Sequence, residues 1–427
     1  MSKQDKISAY VTEVCKQIRF RRAHPLISKE LEQHMLDARD AYVEKGFDTD
    51  TATKKSIIDA GDAAIVGANF DRLHRPKAQW AMFLWVFLLV CLGIGIQIAL
   101  YGQIHTSVWG IVIGIPLMLL MYFLDFSLLG KYPYAGYWLV FACIVLLGGG
   151  YRNVGARDAM AVMSYMYLLF PLLLAGILFT QKGRGYKGIV NALCYFVIFG
   201  MTLIGGGGAI HYAMIVFVLF CAVIVWGHFG VNRLLGFASF LLVFLGLFFA
   251  YFAILAVTSG QIFSHQFYRL EAAFFPARDP YGFGWFPLLI REIVFGQSQN
   301  LEILTYGPEF LLTGVIARFG FIPFVLVCLV LLAFLGYGFY RCFRQKAILA
   351  FLVSFTVMLT FATQIAFFVL ANLGIVITVF SLPFITGNTE LMIINFMLMG
   401  VLLSVFRTGN MPLSLEKRTG ESSAKYV

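Results

Sequence analysis

Charged residues are scarce in this sequence. Asp, Glu, Lys and Arg make up 13% of the 427 residues, while 60% of the residues are hydrophobic. A soluble globular chain is nearer to half apolar and about a quarter charged. The composition therefore excludes an ordinary soluble domain and predicts a polytopic membrane protein. The formal net charge of +10 reports membrane topology first, and we predict no nucleic-acid partner from it.

The sequence also lacks the motifs of disulfide and metal chemistry. Its seven cysteines include no C-x-x-C pair, and most of them lie in apolar runs, where cysteine behaves as a small hydrophobic residue. We therefore predict neither a disulfide framework nor a metal site. No nucleotide-binding loop and no Ser-His-Asp arrangement is present. The chain begins with a polar stretch and its first long apolar run follows, so we expect no cleavable signal peptide.

Residues 1–77 are predicted to form a small cytoplasmic domain of helices. Apolar residues recur at helical spacing after Ser28, a possible N-cap, and a second helix is capped near Asp48 or Asp50 and ended by Gly61. A third short helix follows. The pattern ELEQHMLDARDAYVEKGFDTDTATKKSIIDAGDAAIVGANFDRLH resembles the permease-prefix domain of some bacterial membrane proteins. Such a domain could dock a cytosolic partner or serve as a folding or topology module.

Apolar runs long enough to span a bilayer fill residues 78–407, and a polar tail, 408–427, follows them. About ten such runs are expected, at roughly 79–101, 106–129, 134–150, 160–180, 188–206, 209–228, 234–257, 308–340, 347–378 and 388–406. The runs 308–340 and 347–378 are long enough to be tilted or broken. The sequence thus predicts an all-α, polytopic membrane helix bundle with about ten transmembrane helices.

The basic residues give the orientation of this bundle. With the N-terminus in the cytoplasm, that side holds fourteen Lys or Arg in the prefix, eight in the loops and four from Arg407 onwards, against five outside. Because Lys and Arg concentrate on the cytoplasmic side of membrane proteins, we predict a bacterial cell-membrane protein with both termini cytoplasmic. One outer loop, about 258–307, is far longer than the others, and its many aromatic residues predict that it is ordered.

Several stretches between residues 78 and 407 occur in the order found in one family. They are MYFLDFSLLGKYPYAGYWLVFACIVLLGGG, YRNVGARDAM, YRLEAAFFPARDPYGFGW, GPEFLLTGVIARFGFI, QIAFFVLANLG and SLPFITGN. In these stretches the chain resembles the SEDS family (shape, elongation, division and sporulation), the RodA/FtsW/SpoVE group of peptidoglycan glycosyltransferases. The resemblance implies polymerisation of a lipid II-type, lipid-linked disaccharide at the outer membrane face. It also implies a class B penicillin-binding protein as partner.

The resemblance aligns Glu309 with the catalytic Asp of the family. A carboxylate here can act as a general base for the attacking sugar hydroxyl or as a metal ligand. A divalent cation such as Mg²⁺ is one candidate cofactor, and the resemblance leaves the cofactor open. Glu309 also follows Pro308 at the start of an apolar run, where a carboxylate stabilises a helix N-terminus. It could therefore be a helix-start acid only.

Three residues of the long loop are candidates for substrate binding. Arg269 and Arg278 can contact the pyrophosphate, because the guanidinium group presents a fixed fork of hydrogen-bond donors to phosphate oxygens. Asp279 could instead neutralise Arg278. Arg269 could form a salt bridge within the loop, with Glu271 or another acidic residue.

Three polar residues are predicted to lie inside the membrane region. Arg318 stands where the family has an acid, and a membrane-buried charge needs a partner. Glu390, Asp125 or backbone carbonyls are the candidates. Gln364 and Asn372 are eight residues apart and so share a helix face, where hydrogen bonds between helices are their expected role.

Two other functions remain open at this stage. A chain of this fold could be a scaffold or regulator of envelope synthesis without polymerase activity, because several family motifs are altered. A transporter of a lipid carrier or solute is also compatible with a bundle of helices, since a fold does not fix a function. The sequence gives no inverted hydropathy repeat that would favour a transporter.

Overall fold

The computed structural model describes the chain in segments, which are residues 3–74, 79–103, 108–149, 165–200, 208–227, 230–258, 268, 271–272, 275–282, 284–296, 303, 308–375, 382–385 and 389–408. These residues form helices and turns and no strand. The protein is an all-α membrane helix bundle, as predicted. It divides into two compact units, one before Gln79 and one between Gln79 and Phe406, and each is described by itself.

The N-terminal unit is built from helices α1 to α4, which are Lys3–Lys16, His24–Glu44, Thr49–Ala60 and Ala63–His74. The predicted limits of α3 are confirmed. The Asp48 side chain caps the helix by accepting a hydrogen bond from the backbone N–H of Asp50 at 3.1 Å. Gly61 ends it with a φ of +88°, a conformation that glycine adopts without steric cost.

The expected N-cap at Ser28 is wrong. Helix α2 begins four residues earlier, at His24, and Pro25 lies in its first turn. The fixed φ of proline suits the first turn of a helix, and its missing N–H costs nothing there. Helix α1 was not predicted, yet its Ile7 and Val11 are buried and pack in one cluster with Met35 of α2.

The membrane unit contains helices α5 to α17 within the described residues. They are Trp80–Tyr101, Val108–Phe123, Ser127–Lys131, Pro133–Gly149, Phe170–Thr180, Gly185–Gly200, Gly208–Val225, Arg233–Thr258, Trp285–Phe295, Leu311–Phe319, Phe321–Phe343, Ile348–Asn372 and Thr389–Thr408. Of these, α5, α15, α16 and α17 have the length and apolar composition to cross a membrane, judged over the described part of the chain. The number of spans and their orientation stay predictions.

Two of the predicted apolar runs are divided in the structure. The run 308–340 breaks at Gly320, whose φ of +84° ends α14 and allows α15 to start in a new direction. The run 106–129 contains α6 and the short α7. Between them the Asp125 carboxylate accepts a hydrogen bond from the backbone N–H of Ser127 at 3.1 Å, so this side chain stabilises the turn between the two helices.

Helix α16 is the centre of the bundle. It packs against α9, α11 and α15, and 89% of its most apolar 18-residue window is buried. Its Gln364 forms a reciprocal pair with Asn395 of α17, in which each side-chain amide donates to the other's oxygen at 3.1 and 3.2 Å. Both residues are almost fully buried, so the pair satisfies polar groups that would otherwise be costly in an apolar interior.

Helices α5 and α15 run antiparallel and are joined at both ends by an arginine. Arg341, in the last turn of α15, donates to the Gln79 side chain, just before α5, at 2.6 Å. Arg318, just before α15, donates to the backbone carbonyl of Leu100, in the last turn of α5, at 2.7 Å. We call these two ends of the membrane unit the Gln79 end and the Leu100 end.

Candidate functional site

Helix α14 lies across the Leu100 end of the bundle. Near its start, Thr313 is hydrogen-bonded to Asn372, the last residue of α16, and at its finish Arg318 is hydrogen-bonded to Leu100 of α5. Residues 311–317 are all buried. The helix therefore connects the ends of two long helices, and it does not continue α15 through the bundle.

Asn372 holds the start of α14 in place. Its Oδ1 accepts hydrogen bonds from the backbone N–H of Thr313 at 2.9 Å and from the Thr313 hydroxyl at 3.1 Å. Its Nδ2 donates to the backbone carbonyls of Glu309 at 3.1 Å and Phe368 at 2.9 Å. The first N–H groups of a helix have no partner within the helix, so Asn372 satisfies one of them from a neighbouring element. Asn372 and Thr313 are both 0% exposed.

Glu309 lies in the 3₁₀ turn Pro308–Phe310 that precedes α14. Two buried contacts hold this turn. Asn372 donates to the Glu309 backbone carbonyl, and the buried ring of the next residue, Phe310, packs against Phe286 of α13 with centroids 4.5 Å apart. Glu309 itself is exposed. The structure thus presents an exposed carboxylate on a backbone that buried contacts hold in place.

Helix α13, in the middle of the predicted 258–307 loop, is fastened to the same end of the bundle. Arg291 of α13 donates from Nε to the carbonyl of Gly374, two residues after α16, at 2.9 Å. Gly374 has a φ of +70°, and an added Cβ there would lie 3.0 Å from the Arg291 side chain, so glycine suits this junction. The sequence around Arg291 gives no sign of this positioning role, because its partner lies 83 positions away.

The loop residues predicted to bind substrate have different surroundings. Arg278 ends the 3₁₀ turn Pro276–Arg278 and forms an ion pair with Glu271 at 2.8 Å, and its guanidinium lies over the Phe275 ring. The backbone carbonyl of Asp279 accepts hydrogen bonds from two glycine N–H groups in the next turn. Arg269 lies outside the described residues.

Arg318 has the last of the three expected kinds of partner, a backbone carbonyl. The Leu100 carbonyl lies at the C-terminal end of α5, where the helix dipole is negative and unpaired carbonyls attract a cation. The guanidinium is exposed and stands in the last turn of a nine-residue helix. Gly320 ends that helix two residues later, so Arg318 stands near a helix end, at the break that the length of the run 308–340 allows.

The membrane unit has the fold of a chain from a peptidoglycan synthase complex. The solved structure concerned is described as "Structural coordination of polymerization and crosslinking by a peptidoglycan synthase complex". The two chains superpose with a TM-score of 0.61 at 19% sequence identity, over 79% of this chain and 99% of the other. At this identity the likeness establishes the fold. No protein-family model matches the chain, and no curated protein matches it.

The described residues contain no group of three or more His, Cys, Asp or Glu side chains that could hold a metal ion. Glu309 therefore belongs to no such group within that part of the chain. What the Leu100 end brings together is Glu309, its buried supports Asn372 and Thr313, and helix α13 through Arg291. Gln364 lies two turns away along α16 and contacts Asn395, so it belongs to the packing of the bundle.

Proposed function

We propose that the chain is a SEDS-like peptidoglycan glycosyltransferase that polymerises lipid II-type disaccharides in a bacterial cell membrane. The observation that supports this most is the exposed side chain of Glu309, whose backbone is held by Asn372 at one end of a bundle with the fold of a peptidoglycan synthase chain. The excess of Lys and Arg at the opposite end favours the Leu100 end as the outer one. The lipid-linked substrate would be reached there.

In this reaction a sugar hydroxyl of one substrate attacks the anomeric carbon of the other. A glycosidic bond forms, the bond from that carbon to the pyrophosphate oxygen breaks, and the hydroxyl proton passes to Glu309. A general base has to lie within hydrogen-bond reach of the proton that it accepts. Asn372 and Thr313 do not touch the substrate in this scheme; they are positioning residues for the turn that carries the carboxylate.

The pyrophosphate leaving group needs positive charge near it. Arg278 is the described candidate, and Arg269 belongs to the same segment of sequence. Glu271 occupies one Nη1 donor of Arg278, and a guanidinium carries five N–H donors in total. Phosphate could therefore bind beside Glu271 or replace it, and Asp279 stands next to this arginine in the chain.

The test is polymerisation of fluorescent lipid II by the purified full-length protein, with and without a class B penicillin-binding protein. Glu309→Gln keeps the size of the side chain and removes the base, so we expect polymerisation to fall by at least about 100-fold. Glu292→Gln, which changes another exposed carboxylate on α13, is the matched control and should keep wild-type activity. Polymerisation that survives Glu309→Gln would refute the assignment of the base.

A scaffold without polymerase activity is the second candidate. The ion pair between Arg278 and Glu271 favours it, because the described phosphate-binding candidate already has an acidic partner. A scaffold would give no polymer with the wild-type protein, either alone or with the penicillin-binding protein, while still binding that partner in a pull-down from detergent. A glycosyltransferase would give polymer that depends on Glu309.

A further inference from the structure

An apolar groove runs along the surface of the membrane unit between α5, α14 and α15. Its volume is about 350 Å³. The residues lining it include Cys91, Gly95 and Ala99 of α5, Phe319 of α14 and Val327 of α15. The three α5 residues are exposed, so the groove opens away from the bundle and towards the lipid that surrounds a membrane protein.

The groove has the length and chemistry of a site for a hydrocarbon chain. The nine residues from Cys91 to Ala99 extend about 12 Å along α5, at roughly 1.5 Å for each of the eight steps between them. Each α5 position that lines it carries a small or aliphatic side chain, and Gly95 has nothing within 4 Å of where a Cβ would be. The space beside Gly95 is therefore open.

A positive charge stands at one end of this groove. Arg318 precedes the groove residue Phe319, and it donates to the carbonyl of Leu100, which follows the groove residue Ala99. The Arg318 guanidinium is exposed, and this hydrogen bond from Nη1 is the one that it donates to the described residues. Arginine binds phosphate oxygens through paired donors, so the remaining N–H groups suit a phosphate.

We propose that the groove binds one acyl chain of an anionic phospholipid, whose phosphate group contacts Arg318. The site is separate from Glu309. No residue of α13 or α16 lines the groove, whereas the Glu309 turn is fixed by α13 and α16. A lipid bound here would hold the finish of α14 against α5 while Asn372 holds its start. The proposal does not depend on the glycosyltransferase assignment.

The test is native mass spectrometry of the full-length protein released from nanodiscs that contain equal amounts of phosphatidylglycerol and phosphatidylcholine with the same acyl chains. We expect the wild type to retain one phosphatidylglycerol after the phosphatidylcholine has been removed. Arg318→Gln should lower the retained fraction by about 10-fold or more, the effect of losing a charge-assisted hydrogen bond. Arg318→Lys should restore part of it, because the charge remains.

Two further variants address the apolar part of the site. Gly95→Leu fills the groove and should also lower the retention of phosphatidylglycerol. Gly336→Leu places the same side chain in open space on α15 outside the groove and should leave retention unchanged. Arg344→Gln removes an exposed arginine beyond the far end of α15 and is the control for charge. Thermal unfolding gives a second test that needs no substitution in the groove. Added phosphatidylglycerol should raise the melting temperature of the wild type and leave that of Arg318→Gln unchanged.

Three outcomes would overturn the proposal. Equal retention of the two lipids would mean that Arg318 does not select the phosphate group of an anionic lipid. Equal losses in Arg318→Gln and Arg344→Gln would mean that lipid binds wherever the surface is basic. Retention of neither lipid by any variant would leave the groove as a surface for another protein's helix.

Discussion

Replacing Asn372 by alanine separates the stability of the bundle from the positioning of Glu309. The substitution removes the side-chain amide that accepts two hydrogen bonds from Thr313 and donates one each to the carbonyls of Glu309 and Phe368. The one hydrogen of the Thr313 hydroxyl lies between Asn372 Oδ1 and the Asn372 backbone carbonyl at 2.9 Å, so it can still bond to the carbonyl and keep α14 near α16. The Glu309 turn loses its hydrogen bond to α16.

The expected loss of stability follows from these four hydrogen bonds, three of which join α16 to Thr313 or Glu309 and one of which lies within α16. Hydrogen bonds between membrane helices contribute about 0.6 kcal/mol each on average and up to about 1.7 kcal/mol. Because Asn372 and Thr313 are fully buried, the Thr313 N–H is left without a partner, which adds to the cost. We expect Asn372→Ala to lower the free energy of unfolding by about 2–4 kcal/mol.

We expect Asn372→Ala to lose more polymerisation activity than its loss of stability alone would cause. A displacement of the Glu309 carboxylate by about 1 Å should reduce polymerisation on the order of 100-fold, even at a temperature where the variant is folded. Thermal unfolding in detergent and polymerisation of fluorescent lipid II measure the two effects separately. Asn395→Ala is the control, since it breaks the buried pair with Gln364 and leaves the turn unchanged.

If Asn372→Ala and Asn395→Ala lose activity in the same proportion to their loss of stability, Asn372 has no separate positioning role. If Asn372→Ala unfolds at the wild-type temperature, the four hydrogen bonds contribute nothing to stability. A loss of stability without a loss of activity would contradict only the positioning role of Asn372. Its contribution to the stability of the bundle would remain supported.

Three further predictions concern other parts of the chain. Gly320→Ala should destabilise the protein by about 1–3 kcal/mol in thermal unfolding, because alanine is strained at a φ of +84°. Gly336→Ala, at an open helical position, should not destabilise it, and equal melting temperatures of the two variants would contradict the prediction. Asp48→Ala removes the cap of α3 and should cost about 0.5–2 kcal/mol, seen as faster hydrogen exchange in α3 and not in α2; unchanged exchange would show that the cap is dispensable. Glu271→Gln frees the guanidinium of Arg278, so the KM for lipid II should fall severalfold, and a higher KM would mean that the ion pair supports the site.

The parts of the fold that depend on nearby residues were predicted well. The cap of α3 at Asp48 and its end at Gly61 were confirmed, because each rests on contacts within a few positions of the chain. The start of α2 was predicted wrongly, since the helical preference of Pro25 at a first turn outweighs the capping preference of Ser28.

The candidate site was only partly predictable. The sequence indicated Glu309 and the buried role of Asn372, but it did not connect them, because their hydrogen bond joins residues 63 positions apart. Thr313 and Arg291 were missed for the same reason. The glycine two residues after Arg318 is a local sign that a helix ends there. The partner of Arg318, Leu100, lies 218 positions away, and the sequence pattern does not indicate it.

The sequence by itself determined that this chain is a helical membrane protein, because the cost of placing polar groups in lipid is set by composition and hydropathy. It also determined where a carboxylate and a guanidinium interrupt an apolar run. The tertiary structure alone decided what each of them meets. Glu309 is held by the end of α16 and Arg318 by the end of α5, because Gly320 turns the chain and leaves α14 across the ends of both helices.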